Sequence, residues 1–494
     1  MKNKIVKRVI CLLLMMGLLV SLAVPFSADK IRITLGDVNE SGITTVMDAT
    51  LLQRYLAKIS GEYSPQITSS GDVDRNRTLD ANDVTYIIRH CAGVSIPYQI
   101  DGTVAYNGTD PFSGESNIRL KVWAPDSACE LTQQICNDFI SRYPDKSISI
   151  TVQAVEEGDL VSAYANDPNS AADVFSMSCD QIEYLNQRNA LSPLTDAEAK
   201  SVRARDTAFS VNAASVNGKM MAFPETGESG YYLVYDKRVV SDNDAKTLEG
   251  ILKACRRANK QFILDGGNGY YSCMFVFTGG LKVEGISSDG VQQFNNYNED
   301  KVVDSLEAFA TLFHQYNDVL VFNSVDRVGS GMVNGIVGAG IDGSWNAATI
   351  KYVLGNNYGA AKLPTINIKG VDTQIYSMCG SRCIGVKNST RYPKAAHALA
   401  DFLTNEKSQI LRVKQLGWSP SNKEVIQTDA LKDNPGAVAC LEQSEFSIPQ
   451  IGIADTFWSP MGTLGNYLMM TDTVSRTSIR NKFRQTIINI KDEW

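Results

Sequence analysis

The chain has 494 residues, of which 44% are hydrophobic and 20% charged, and its formal net charge is −7. That balance excludes a mostly disordered chain, a collagen-like chain and a multi-span membrane protein, and the length points to roughly two to four domains. An acidic chain with only 3 His also counts against nucleic acid as its partner.

Residues 1–28 open with Lys2, Lys4, Lys7 and Arg8, then run apolar from Val9 to Val24. Small residues follow at Ser21-Leu22-Ala23 and Ser27-Ala28. This reads as a secretory signal peptide, with an uncleaved membrane anchor as the alternative, and no other stretch is long and apolar enough to span a bilayer. Cys11 sits inside the apolar run behind Arg8-Val9-Ile10, which is not a lipoprotein box, so no lipid anchor is expected. The other cysteines are scattered rather than set in a disulfide framework. Buried thiols are the plain reading. Cys379-Gly-Ser-Arg-Cys383 is the pair for a local disulfide, and no His stands beside it to suggest zinc.

Residues 36–93 hold a repeat. One copy starts Gly36-Asp37-Val38, the other Gly71-Asp72-Val73. In the first, Asp37, Asn39, Ser41, Thr45 and Asp48 occupy loop positions one, three, five, nine and twelve, with the Ile43 carbonyl at seven. In the second, Asp72, Asp74, Asn76, Asp80 and Asp83 do so, with the Thr78 carbonyl at seven. A hard dication collects hard oxygens at this spacing as the chain winds around it, so two calcium sites are expected. Apolar spacing predicts a helix after each loop, over 49–59 and 84–91, and none before it. The first loop has two carboxylates and the second four, so the second is expected to fill first. Position twelve is Asp rather than the longer Glu. Position six of the second loop is Arg77, where a left-handed turn costs a non-Gly residue about 1–2 kcal/mol.

These paired loops, each followed by a helix, closely resemble a type I-like dockerin. The resemblance implies a cohesin partner on the scaffold of a cellulosome- or amylosome-like complex. It implies cohesin contacts at loop positions ten and eleven, which are Val46-Met47 and Ala81-Asn82, and from Arg54 and Arg89 on the helices. The two pairs are unlike, which argues against two equivalent docking modes.

Residues 94–117 are rich in Gly, Ser, Thr, Asn, Asp and Pro and read as a flexible linker. Strands are then expected at 120–123, 148–152 and 173–175, with an amphipathic helix over 130–142 between the first two. Such alternation argues for an α/β fold with parallel strands, whose ligands bind past the carboxyl ends of the strands. Asp126 and Asp180 fall just past such ends.

Over residues 118–494 the chain resembles the maltose/maltodextrin-type extracellular solute-binding proteins of ABC importers. The resemblance is carried, in order, by residues 120–125, Ala172-Asp173-Val174-Phe175, Met221-Ala222-Phe223-Pro224 with Tyr232-Leu233-Val234-Tyr235-Asp236-Lys237, and Gly340-Ile341-Asp342-Gly343-Ser344-Trp345. Residues 396–420, with Phe402, Glu406, Gln409, Gly417 and Pro420, complete it. It implies a two-lobed, periplasmic-binding-protein-like (Venus-flytrap) fold that closes on its ligand. It implies ligand contacts from Asp126, Asp180, Glu228, Tyr270, Tyr271, Trp345 and Trp458. Met177-Ser178 stands where the family has a further Trp, and Gln181 where it has an Arg, so one platform and one charge are missing.

The expected protein is therefore secreted, binds starch-derived malto-oligosaccharides or a related glycan, and is held on a scaffold by its dockerin in place of a lipid anchor. An importer is a further partner the resemblance implies. A peptide or another solute is the alternative ligand. A glycoside hydrolase, which needs two placed carboxylates, is the weaker alternative, and no enzyme is expected.

Overall fold

The computed structural model describes residues 29–61, 63–108, 110–287, 289–322, 324–470 and 475–492. The leader read over residues 1–28 lies outside them. The described residues divide into two compact units: 29–40, 44–116 and 141–147 in the smaller, and 41–43, 117–140 and 148–492 in the larger.

The smaller unit is built on two helices, Val46–Leu56 and Ala81–Cys91. Each starts three residues earlier than apolar spacing suggests, because loop side chains also cap it. Thr45 and Asp80, at loop position nine, accept the N–H groups of Met47 and Asn82. Asp48 and Asp83 accept the cap residue's own N–H and close a capping box in each copy. Ala49, Leu52, Val84 and Ile87 then meet Leu35, Val38, Ile67, Val73 and Ile100 in one core.

Two expectations need correction here. A one-turn helix, Ile67–Ser70, does precede the second loop. It exists because that turn carries Ile67 into the core, where it is 3% exposed. Residues 94–117 are also not a free linker along their length. Thr103–Gly108 pairs antiparallel with Asp29–Thr34, and Phe112 is buried. Polar, turn-rich composition concealed a six-residue strand whose partner lies upstream of the first loop.

The larger unit holds two sheets. The first lobe's sheet runs in the order Ile148–Ala154, Ile118–Ala124, Val174–Ser178, Arg382–Val386, Ala222–Pro224. Its first three strands are parallel, joined by the helices Cys129–Ser141 and Glu157–Asn166, and its last two pair antiparallel. The second lobe's sheet is centred on Val337–Gly343 and Ser229–Asp236, with Gln261–Leu264 and Leu320–Phe322 to one side and Ser377–Gly380 and Ser447–Pro449 to the other. Every residue of Ser229–Asp236 and Val337–Gly343 is buried, as a sheet covered on both faces requires.

The chain crosses between the lobes three times. Residues 225–228 connect Ala222–Pro224 to Ser229–Asp236, and Ser381 connects Ser377–Gly380 to Arg382–Val386. The third crossing leaves the helix Glu406–Leu416, bridges Asn422 to Asp206 in the first lobe, and reaches the helix Pro435–Ser444. Ala439 and Cys440 of that helix pack with Tyr232 and Val234 of the second lobe. Beside the first crossing, Glu225 and Arg412 form an ion pair at 2.8 Å with both side chains 2% exposed.

Candidate ligand cleft and calcium loops

A cavity of about 580 Å³ is lined from both lobes. In the first lobe, Asp126 follows the strand Ile118–Ala124 and opens a 3-10 turn, and Asp180 follows Val174–Ser178 and leads into the helix Gln181–Gln187. Both stand past the carboxyl ends of parallel strands and line the cavity. Glu156 and Glu157 join them from the start of the helix Glu157–Asn166. Gln181 accepts the Ser178 N–H at 3.3 Å and donates to the Glu157 carbonyl at 2.5 Å, tying two helix starts together. Burial pushes the Asp180 carboxyl up, and its Oδ1 is buried with no hydrogen-bond partner. Met177 is fully buried in the sheet, and none of the first-lobe lining residues is aromatic.

The rings come from the second lobe. Tyr270 lies in the first turn of the helix Gly269–Phe277, where Asn268 caps by accepting its N–H at 3.0 Å. A Cβ on Gly269 would come within 2.1 Å of the Trp458 carbonyl oxygen, so only glycine lets this helix press against the start of Trp458–Met470. Tyr270 consequently stands between two indoles, its ring centroid 6.1 Å from that of Trp345 and 6.4 Å from that of Trp458. Gly343 plays a similar part, since a Cβ there would meet the Trp345 ring at 2.1 Å.

Asp342 clamps the Trp345 turn from below. Its Oδ1 accepts the Gly343 N–H at 2.7 Å and the Asn346 Nδ2 at 3.0 Å, while its buried Oδ2 has no partner. Burial pushes this carboxyl up to about 7. Between about pH 4 and pH 7 the folded chain therefore keeps a proton that the unfolded chain has released. Stability contributed by this group falls as pH rises through that window and is level above it. Asp342→Asn is expected to stabilise the larger unit by on the order of 2–4 kcal/mol at pH 8 and far less at pH 4.5. Thermal unfolding of both proteins at the two pH values checks this; an equal gap at both contradicts it.

Three of the expected contacts do not line the cavity. Tyr271 is 3% exposed, with its ring against Tyr231 at 4.9 Å and Tyr270 at 5.3 Å. Consecutive helix residues point about 100° apart, so when Tyr270 faces the cleft Tyr271 supports it from the core. Trp458 flanks Tyr270 without reaching the lining. Glu228 lies in the first crossing, where burial pushes its carboxyl up and leaves Oε2 without a partner.

Arg382 was not anticipated. It follows Ser381 at the second crossing, lines the cavity, and pairs through Nε with Glu157. Its guanidinium carbon lies 4.2 Å over the Trp418 ring, and its backbone N–H donates to the Thr226 hydroxyl at 2.9 Å. Its position inside Cys379-Gly-Ser-Arg-Cys383 was the available signal, but cysteine spacing drew the reading instead. Every described cysteine is a free thiol, and burial pushes both Cys379 and Cys383 up. His397 lies between Glu198, at 3.1 Å from Nδ1, and the Ser192 hydroxyl, at 2.9 Å from Nε2. The grouping looks like a hydrolytic triad, yet none of the three lines the cavity, and Glu198 is already engaged in capping its own helix.

In the second loop, Asp72, Asp74 and Asp83 each bring a carboxylate oxygen within 4.8 Å of the others. Asp72 Oδ1 is buried without a partner, as a cation ligand awaiting its ion would be. Asp74 and Asn76 shape the turn through backbone acceptance at 3.0 and 2.7 Å. Arg77 does adopt φ +70°, the left-handed turn that Gly42 makes in the first loop at φ +92°. In the first loop Asp48 accepts the N–H groups of Val38 and Asn39, at 2.7 and 3.0 Å, and the Ser41 hydroxyl donates to the Ile43 carbonyl at 3.0 Å. The gathered, oxygen-only donor set of the second loop fits a hard dication. Val46, Met47, Arg54, Ala81, Asn82 and Arg89 are all solvent-exposed.

Two α/β lobes joined by three crossings around a ring-lined cleft define a two-lobed binding protein. Residues 134–439 match the bacterial extracellular solute-binding protein family, and the chain belongs to it. Residues 35–92 match the dockerin type I domain, a module that binds calcium and docks to cohesins. A galactooligosaccharide-binding protein of Bacillus subtilis (strain 168) is 26% identical over 306 residues, covering 58% of this chain and 70% of that one. The maltodextrin-binding protein MalE1 from L. casei BL23, solved without ligand, superposes with a TM-score of 0.65 at 24% identity, over 76% of this chain and 99% of its own. A chain solved with acarbose gives 0.67 at 25% identity, over 76% and 98%. Among the described residues no helix is long and apolar enough to cross a membrane.

Proposed function

We propose that this chain is a secreted oligosaccharide-binding protein that its dockerin holds on a cohesin-bearing scaffold. The observation that carries the sugar reading is the asymmetry of the cleft. Tyr270 and Trp345 line it from the second lobe, together with Asp326, while the first lobe contributes no ring but four carboxylates, an amide, Arg382 and small residues. A sugar has an apolar C–H face and polar hydroxyl edges, which suits one ring-bearing wall and one carboxylate-bearing wall. The sugar stacks on the second lobe, and the first closes by bending the three crossings so that Asp126 and Asp180 accept hydrogen bonds from its hydroxyls. The relatives' names support this class: one is called galactooligosaccharide-binding and another maltodextrin-binding. Malto-oligosaccharides are the first choice, and galacto-oligosaccharides the second on the strength of the Bacillus relative. Because Trp345 lines the cleft, its fluorescence tests the reading. A saturable change with oligosaccharide, lost in W345F, is expected; an unresponsive spectrum with every sugar contradicts it.

The dockerin sets the sugar trap beside enzymes that release oligosaccharides. Both loops bind calcium, and the second, with four carboxylates against two, binds it more tightly. Calcium titration by calorimetry should resolve two classes of site, the tighter abolished by Asp74→Asn. A single weak class would contradict the ordering. The exposed Val46 and Met47, at 57% and 41%, give the first copy an apolar cohesin-facing edge that Ala81-Asn82 does not reproduce, which favours one docking mode.

A further inference from the structure

We propose that the cleft selects its oligosaccharide by charge, taking neutral and amine-bearing glycans and rejecting uronate-bearing ones; this rests on the carbohydrate reading above. Five carboxylates line the cavity, from Asp126, Glu156, Glu157, Asp180 and Asp326, against a single cation, Arg382. That cation is already committed. Its Nε pairs with Glu157, its Nη1 donates to the Ser229 hydroxyl at 3.4 Å, and its face covers Trp418. The side chain is only 6% exposed, so it cannot swing out to meet a ligand carboxylate without breaking that pair and uncovering the indole.

Helix starts are the other source of positive potential in such a cleft, because their free N–H groups attract anions. Here the chain's own acids stand beside three of them, where they oppose the helix dipole. Glu157 and Asp159 lie in the first turn of Glu157–Asn166, Asp326 in that of Asp326–Val333, and Asp180 precedes Gln181–Gln187. A sugar carboxylate therefore finds no free guanidinium among the lining residues, and three of the helix starts carry acids of its own sign; the start of Ala347–Leu354, with no acid in its first turn, is the exception. The carboxylate enters a field focused by low-dielectric walls and of its own sign. An ammonium meets the opposite. Asp180 offers a buried oxygen with no partner, and Glu156, Asp126 and Asp326 stand exposed as acids around it.

The test uses three forms of one glycan: maltotetraose, its 6-amino-6-deoxy derivative and its 6-carboxylate (glucuronate) derivative. The amine and the carboxylate are similar in size, so they differ chiefly in charge. Calorimetric titration of the full chain with saturating calcium, at 20 and 300 mM NaCl, is expected to rank amine above neutral above carboxylate. The carboxylate form should bind at least about 100-fold more weakly than the amine form at low salt. That gap should shrink at high salt, as screening requires, and shrink again in the variant with Glu156→Gln and Asp326→Asn. Equal binding of the amine and carboxylate forms overturns the charge selection while leaving the sugar site standing. No binding of any of the three overturns the malto-oligosaccharide reading and, with it, the charge selection among these glycans.

Discussion

Replacing Arg412 with Met is expected to destabilise the larger unit by about 3–5 kcal/mol, the cost of stranding one member of a buried ion pair. Arg412 is 2% exposed, pairs with Glu225 at 2.8 Å and donates to the Leu403 carbonyl at 2.6 Å. Glu225 is equally buried and accepts the Ser176 hydroxyl at 2.6 Å. Without the guanidinium, its carboxylate would keep one neutral hydrogen bond and no counter-charge. The double replacement Glu225→Gln with Arg412→Met removes both charges and should recover most of the loss, because neutral pairs of similar volume are tolerated at such sites. Urea unfolding midpoints separate the cases. If the double variant is as unstable as the single one, packing rather than charge holds this site. Glu225 begins the first crossing, so the same measurement reports how firmly the hinge is seated.

Trp345→Ala is expected to weaken oligosaccharide binding by about 1–3 kcal/mol, or roughly 5- to 150-fold, on the scale of other stacking platforms. Trp345 lines the cleft and partners Tyr270, so its loss removes one wall and loosens the other. Trp458→Ala should cost less, because Trp458 flanks Tyr270 without lining the cleft. Equilibrium titrations of the two variants with the sugar that the wild-type protein binds give the comparison. A larger effect at Trp458 would mean that the ligand approaches from that side of Tyr270.

The features legible in the sequence were those written in local spacing. Calcium ligands must recur at fixed offsets along one loop, so Asp72, Asp74 and Asp83 could be picked out before the structure gathered them. Parallel strands with their helices are also local patterns, and they placed Asp126 and Asp180 correctly at strand ends. What sequence could not give were meetings between distant segments. Arg382 and Glu157 are 225 positions apart, and nothing near either announces the other. The strand Thr103–Gly108 needed a partner from before the first loop, so composition alone made it a linker. Tyr271 departs from expectation for a different reason than these. As neighbours on one helix, Tyr270 and Tyr271 shared a motif, but helix geometry sends one to the cleft and the other to the core.

The central claim is that the cleft between the two lobes binds an oligosaccharide on rings supplied by the second lobe. Its most direct test is calorimetric titration of the full, calcium-loaded chain with malto-, galacto-, cello- and xylo-oligosaccharides. The expected result is saturable, micromolar binding to one series, weakened at least about fivefold by Trp345→Ala. No binding to any series, or binding unchanged by Trp345→Ala, contradicts the claim.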